Sequence, residues 1–447
     1  MAEPSTDDRR IAFIAASTWH GSLDRAETML AAHPDLVSSD IHIAAILGDD
    51  AAVRAHLARD PSCVSARSEP YGADALTHLC LSKYLRLDPA RTDAFLAAAT
   101  ALLDAGADPN GGFWTSGEDP EHETPLYGAA GVAHHATLTR LLLERGADPN
   151  DGEAVYHSPE TDDNAALQAL VETGRLTSDS LSMMLLRKHD WHDCDGAMYL
   201  LEHGADANAA WGSGGRRPLH HALARSNRLA MIELLLDHGA DPTLTTDDDD
   251  LSGIARAARE GRRDVLQLFA QRGVSLELPG VDGLIAACAL DDTIAVQRLA
   301  QDPALAKGAL AMGGDLLARF AGNGNAEGVR QLLDLGVDVA SPFQEGDGYF
   351  AEPPGSLAIH VAAWRAQPAI VKLLLYRDSP VDRPDPKGRT PLALAIKACV
   401  DSYWAHRRTP ESVEALLRAG ASPHGAGVQS PSGYAEVDDL LGRYTGH

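Results

Sequence analysis

Residues 123–150 read ETPLYGAAGVAHHATLTRLLLERGADPN, and every other segment of the chain is a better or worse copy of them. Thr124 followed by Pro125 opens a helix, with a hydroxyl at the cap and a proline in the first turn, where its missing N–H is no loss. Ala129 and Ala130 keep that helix thin. Leu138, Leu141, Leu142 and Leu143 form the apolar stripe of a second helix, and Gly146 stops it by taking the left-handed conformation a helix end needs. Ala147-Asp148-Pro149-Asn150 then leads away as an extended turn. Two thin helices cannot enclose a core alone, so the unit stacks on neighbours like itself.

This unit resembles the ankyrin repeat. The family's TPLHxAA opening is matched by Thr124-Pro125-Leu126-Tyr127-Gly128-Ala129-Ala130, and its LLLxxGADxN close by the run from Leu141 through Gly146, Ala147 and Asp148 to Asn150. The resemblance implies L-shaped units with β-turn fingers along one edge and inner helices lining a concave groove. It implies no reaction. The expected fold class is an all-α repeat solenoid, and function has to be argued from sites grafted on it.

Composition narrows the partners. Lys plus Arg number 38 against 64 Asp plus Glu, a net charge of −26, which disfavours nucleic acid and anionic membrane and suits a partner with a basic or neutral surface. The five cysteines include no CxxC pair and read as reduced, small core residues. No apolar run approaches the roughly 20 residues of a membrane span, and the opening MAEPSTDDRR has no basic-then-apolar signal. The expected location is cytoplasmic and no cofactor is called for.

The repeat signal is expected to run through residues 1–427 as one solenoid of about eleven or twelve helix pairs, with 428–447 as a C-terminal cap. Periods of 35 and 34 residues separate the stops at Gly204, Gly239 and Gly273. Residues 151–193 lose phase: 151–163 read as a polar loop, 164–173 and 177–189 as helices, and 58 residues separate Gly146 from Gly204, more than one repeat and less than two. Insertions make long fingers at 111–122, 209–215 and 338–355. The first and last combine aromatic with acidic residues.

Regular repeats supply scaffold, so function is sought in these deviations. Phe113, Trp114, Tyr127, Trp211, Tyr349, Phe350 and Trp364 are the candidate partner-binding residues, because Trp and Tyr in loops more often meet ligand than core. Asp119, Glu121 and His122 on one finger, and His221 beside the structural histidine position, are the candidates for acid–base chemistry, though sequence neighbours on a loop lack a fixed separation. His189, His192 and Asp193 have the ingredients of a metal site, against the alternative of a helix-capping turn. His42, His220 and His360 match the family's histidine, which holds adjacent fingers in register. No GxSxG, HExxH or Walker loop is present. The expected function is partner binding through the concave groove and the long aromatic and acidic fingers. The alternative is an enzyme or small-molecule binder whose pocket the fingers and inner helices enclose.

Overall fold

A computed structural model describes residues 5–212, 214–402 and 404–445. Ser213, in the glycine-rich part of the 209–215 finger, lies outside the described residues, as do the first four residues of the opening segment and the last two of the 428–447 cap. The chain forms two compact units, Met1–Trp211 and Gly212–His447. The protein is an all-α repeat solenoid: regular structure is almost wholly helical, and the strands among the described residues make two short hairpins, Phe113–Trp114 with His122–Glu123 and Pro342–Phe343 with Ser356–Leu357.

The first unit contains helix pairs whose inner members stack on inner and outer on outer, as Ile41–Ile46 does on Ala75–Cys80 and Ala136–Glu144 on Ala165–Val171. In the deciding stretch, Thr124 caps Pro125–Tyr127 by accepting from the Tyr127 N–H at 3.0 Å, as its sequence predicts. The helix then widens by one residue over Gly128–Val132, closed by Ala133 N–H to the Gly128 carbonyl at 2.9 Å. Both glycines there are forced by packing: a Cβ on Gly128 would lie 2.8 Å from the Cys80 carbonyl carbon, and one on Gly131 2.7 Å from the His157 Cβ.

The out-of-phase stretch resolves into two shortened repeats. Gly174 is a stop like Gly146 and Gly204, with φ of 64°, 99° and 100° respectively. Residues 151–163, read as a loop from sequence, contain the inner helix Gly152–His157, capped by Asp151 and anchored by buried Ala154 and Val155. Ala165–Val171 is its outer partner, and Ser178–Asp190 with Cys194–Glu202 makes the next pair. Six residues carry too few apolar positions for the period to register in the sequence.

In the second unit the pairs begin at Pro218–Ala224 with Leu229–Asp237 and end at Pro391–Val400 with Glu411–Arg418, followed by the apolar-faced helix Ala435–Thr445. At five places the turn between inner and outer helices is built alike. One residue takes positive φ, as Gly48, His134, His192, Asp291 and Gly324 do at 64°, 49°, 55°, 60° and 81°. The next residue caps the outer helix: Asp49, His135, Asp193, Asp292 and Asn325 each accept a backbone N–H three residues on. The family histidines lock neighbouring repeats, with Nε2 of His42, His220 and His360 2.8, 2.9 and 2.8 Å from the carbonyls of Ala66, Leu251 and Arg383.

Candidate functional site

In the first unit the long finger folds as a hairpin with Trp114 paired across from His122 and their rings stacked 4.6 Å apart. Strand alternation then sends their neighbours inward. Phe113 is buried against Ala73, Leu81 and Tyr127, Tyr71 stacks on it at 5.1 Å, and the Trp19 indole N–H donates to the Tyr127 hydroxyl at 3.2 Å. Phe113 and Tyr127 are therefore packing residues, whereas Trp114 stays 64% exposed. Trp114, Glu121 and His122 of the finger line a groove of about 630 Å³ together with Asn110, Thr124, Asp148, Asp151 and Glu153. Asp119 is exposed nearby in the finger. So the hairpin brings Trp114, Glu121 and His122 together, and the short helix that sequence reading missed adds Asp151 and Glu153.

Carboxylates crowd beneath this groove. Glu123 is 1% exposed, its Oε2 has no hydrogen-bond partner, and burial with the charge of Glu153 raises its pKa to about 7. Burial alone would lower the His157 pKa, but Nε2 at 3.3 Å from Glu153 and Nδ1 at 3.0 Å from Glu160 outweigh it and raise the value to about 9. Arg187 completes the chain by pairing with Glu160 and, at 2.6 Å, with Asp190, while its guanidinium lies 4.1 Å from the Tyr156 ring centroid and 5.1 Å from that of Trp191. Sequence reading marked 151–193 as irregular but did not bring Glu153, His157, Glu160 and Arg187 together.

His189 lies in the last turn of the helix Ser178–Asp190, and His192 and Asp193 belong to the turn that follows it. His189 is fully buried and His192 takes the left-handed position; Asp193 caps the next helix while accepting from Lys188 Nζ and Asn164 Nδ2, both at 2.8 Å. The need for a cap and for a counter-charge to a buried lysine accounts for that aspartate. Among the described residues no three His, Cys, Asp or Glu side chains gather as a metal-ligating group. His78 is fully buried in the same unit, with its ring 5.5 Å from that of His42. Trp211 is half-buried near the end of the unit.

In the second unit the 338–355 finger turns inward. Phe350 is fully buried and Trp364, 5% exposed, donates its indole N–H to the Phe350 carbonyl at 2.8 Å, so both fill core where sequence reading placed them on a binding surface. The cause is Arg365. Its guanidinium, 4% exposed as a residue, pairs with Glu352 at 2.7 and 2.8 Å and lies 4.1 Å from the Phe350 ring, drawing the finger down around a buried charge. Tyr349 remains half-buried with the Arg225 guanidinium 4.3 Å from its ring centroid. Together with Arg256, Arg319, Glu260 and Asp347 these residues line a cavity of about 400 Å³. Arg319 pairs with Glu260 at 2.8 Å and Glu345 at 2.5 Å, so the cavity's arginines are largely matched by carboxylates. His221 is buried on the inner helix Pro218–Ala224.

The arginines escaped sequence reading, which searched fingers for aromatics and acids. A signal was present: Arg225 and Arg365 each immediately precede a left-handed turn residue, Ser226 and Ala366, and so occupy one repeat position.

The architecture defines a class, the stacked helix-pair repeat protein with finger hairpins. A family model for ankyrin repeats matches residues 154–246 in three copies, so the chain carries ankyrin repeats. Serine/threonine-protein kinase 12 of Arabidopsis thaliana is 36% identical over 84 residues, 19% of this chain and 16% of that protein's length. The ankyrin repeat domain of Bcl-3, a member of the IkappaB protein family, is 21% identical, with 53% of this chain and 88% of that one covered at a TM-score of 0.35. The human ASB11 ankyrin repeat domain is 17% identical, with 59% and 98% covered at a TM-score of 0.28. Repeats of this family typically mediate protein–protein interaction. Among the described residues no helix is long and apolar enough to cross a membrane.

Proposed function

We propose that this chain is a binding protein whose first unit grips a basic segment of a protein partner in the acidic groove beside Trp114. The observation that carries the reading is Trp114 itself, 64% exposed and held flat on His122 at the lip of a groove walled by Glu121, Asp148, Asp151 and Glu153. Tryptophan is among the side chains that most often dominate binding energy when a partner covers them. A lysine or arginine laid across the indole gains a cation–π contact while its charge meets the carboxylates. The test is capture from lysate of the source cell by the whole protein and by Trp114→Ala. The reading expects a partner lost at least about tenfold by the variant at an unchanged melting temperature, with a Lys- and Arg-rich segment at the cross-linked contact. Equal capture, or an acidic contact segment, overturns it.

A second reading, a small-molecule binder, is supported by the second unit's cavity of about 400 Å³, where finger residues 346–349 close over inner-helix arginines.

A further inference from the structure

A smaller cavity of about 190 Å³ in the second unit has Arg228, Arg262, Asp264 and Arg407 in its lining. Three guanidinium groups face one carboxylate, in a chain whose net charge is −26. Arg262 is the anomaly that first marks the place. It stands at the cap of Arg263–Gln271, where five other inter-helix turns of this chain put an aspartate, asparagine or histidine that accepts a backbone N–H. An arginine accepts nothing, and a cation at a helix N-terminus opposes the helix dipole. Capping cannot be its purpose.

Its own charge is already matched. Arg262 is 5% exposed, pairs with Asp264 through Nε at 2.9 Å and Nη2 at 2.8 Å, and donates Nη1 to the Asn227 carbonyl at 2.8 Å. Arg228 is exposed and, among the described residues, has only the weak acceptor His406 Nδ1 at 3.4 Å. Arg407 is partly buried, and its guanidinium has no hydrogen bond or ion pair among the described residues. Burial and the charges of Arg262, Arg228 and Arg365 hold its pKa below the usual arginine value, while Asp264 is the carboxylate that opposes them. Two partly desolvated guanidinium groups, those of Arg262 and Arg407, lie with exposed Arg228 about one carboxylate, and like charges so gathered repel one another unless an anion sits among them. Five N–H donors in a planar fork make arginine the residue best matched to the oxygens of phosphate.

We infer that this cavity is a binding site for a phosphate group, held by Arg228 and Arg407 with Arg262 and Asp264 as its fixed floor. The volume admits a phosphate head and little more, so the group arrives either as the free ion or at the end of a monoester such as a phosphorylated side chain.

The experiment is calorimetric titration of the whole protein with inorganic phosphate at constant ionic strength, with acetate as control and O-phosphoserine as a second ligand. Wild type is expected to show saturable one-site binding of phosphate and none of acetate. Arg407→Gln is expected to weaken it at least about tenfold, and Arg418→Gln, a change at a solvent-facing pair with Glu414, to leave it unchanged. Tighter binding of O-phosphoserine assigns the site to a modified side chain, and equal or weaker binding to the free ion; both support it. Should Arg407→Gln fail to fold, Arg228→Gln carries the same expectation. Absence of saturation, equal binding of acetate, or wild-type affinity in a folded Arg407→Gln overturns the inference.

Discussion

At the scale of the residue, Glu123 is the most consequential single side chain in the first unit. Its sequence role is to precede the Thr124 cap, but the hairpin pairs it with Phe113 and so turns it inward, beside Glu153. A carboxylate whose pKa rises from 4.5 unfolded to about 7 folded binds its proton more tightly in the native state, so stability declines as pH climbs through that window. His157 adds to the decline: its value rises from 6.5 to about 9, so its contribution is whole below 6.5 and lost as pH passes through 9. Glu123→Gln, which keeps the neutral shape, is expected to raise unfolding free energy at about pH 8 by roughly 1–3 kcal/mol and to remove the slope between pH 4.5 and about 7, leaving the His157 slope above it. Urea unfolding across pH checks this. An unchanged profile would mean that Glu123 is ionised in the native state at neutral pH.

At the scale of the element, the unit of construction is the turn between inner and outer helices. A left-handed residue followed by an acceptor recurs along the chain because a helix leaves its first N–H groups unpaired and the tight turn leaves one place from which to reach them. Asn325 does most with that place. Its Oδ1 caps the outer helix at 2.8 Å from the Gly328 nitrogen, while Nδ2 donates to the carbonyls of Gly261 at 2.9 Å and Ala289 at 2.8 Å, joining successive turns. Asn325→Ala leaves buried carbonyls without a donor and is expected to cost about 2–4 kcal/mol; Asp49→Ala loses a cap alone, about 1 kcal/mol. Thermal melting of the two variants decides it, and equal losses would show that water replaces the asparagine donors. The two long fingers illustrate the limit of element-level reading. Both are aromatic and acidic in composition, yet one leaves Trp114 in solvent while the other buries Phe350 and Glu352 around Arg365.

At the scale of the whole molecule, charge is the governing quantity. A net charge of −26 repels anionic polymers and accelerates encounter with cations, and the Trp114 groove concentrates four of the carboxylates. Capture of the basic partner is expected to weaken about tenfold or more between roughly 0.05 and 0.5 M salt, chiefly through the association rate, because the screening length shrinks to a few ångströms. Salt-independent capture measured by surface plasmon resonance would mean that the groove contributes packing without steering. What the sequence determined by itself is what local rules govern. Thr124 and Pro125 start a helix, Gly146 ends one, and His42, His220 and His360 each fall in the first turn of an inner helix, because caps, turns and apolar periods act over a few residues. What only the tertiary structure decided is which way a side chain faces once repeats stack. Gly152–His157 was too short to show a period, Phe113 and Trp114 differ by a single step of strand alternation, and the cavity arginines lie repeats apart in sequence. Those placements depend on the burial of charge and ring against a neighbouring repeat, a free energy that no short window of sequence contains.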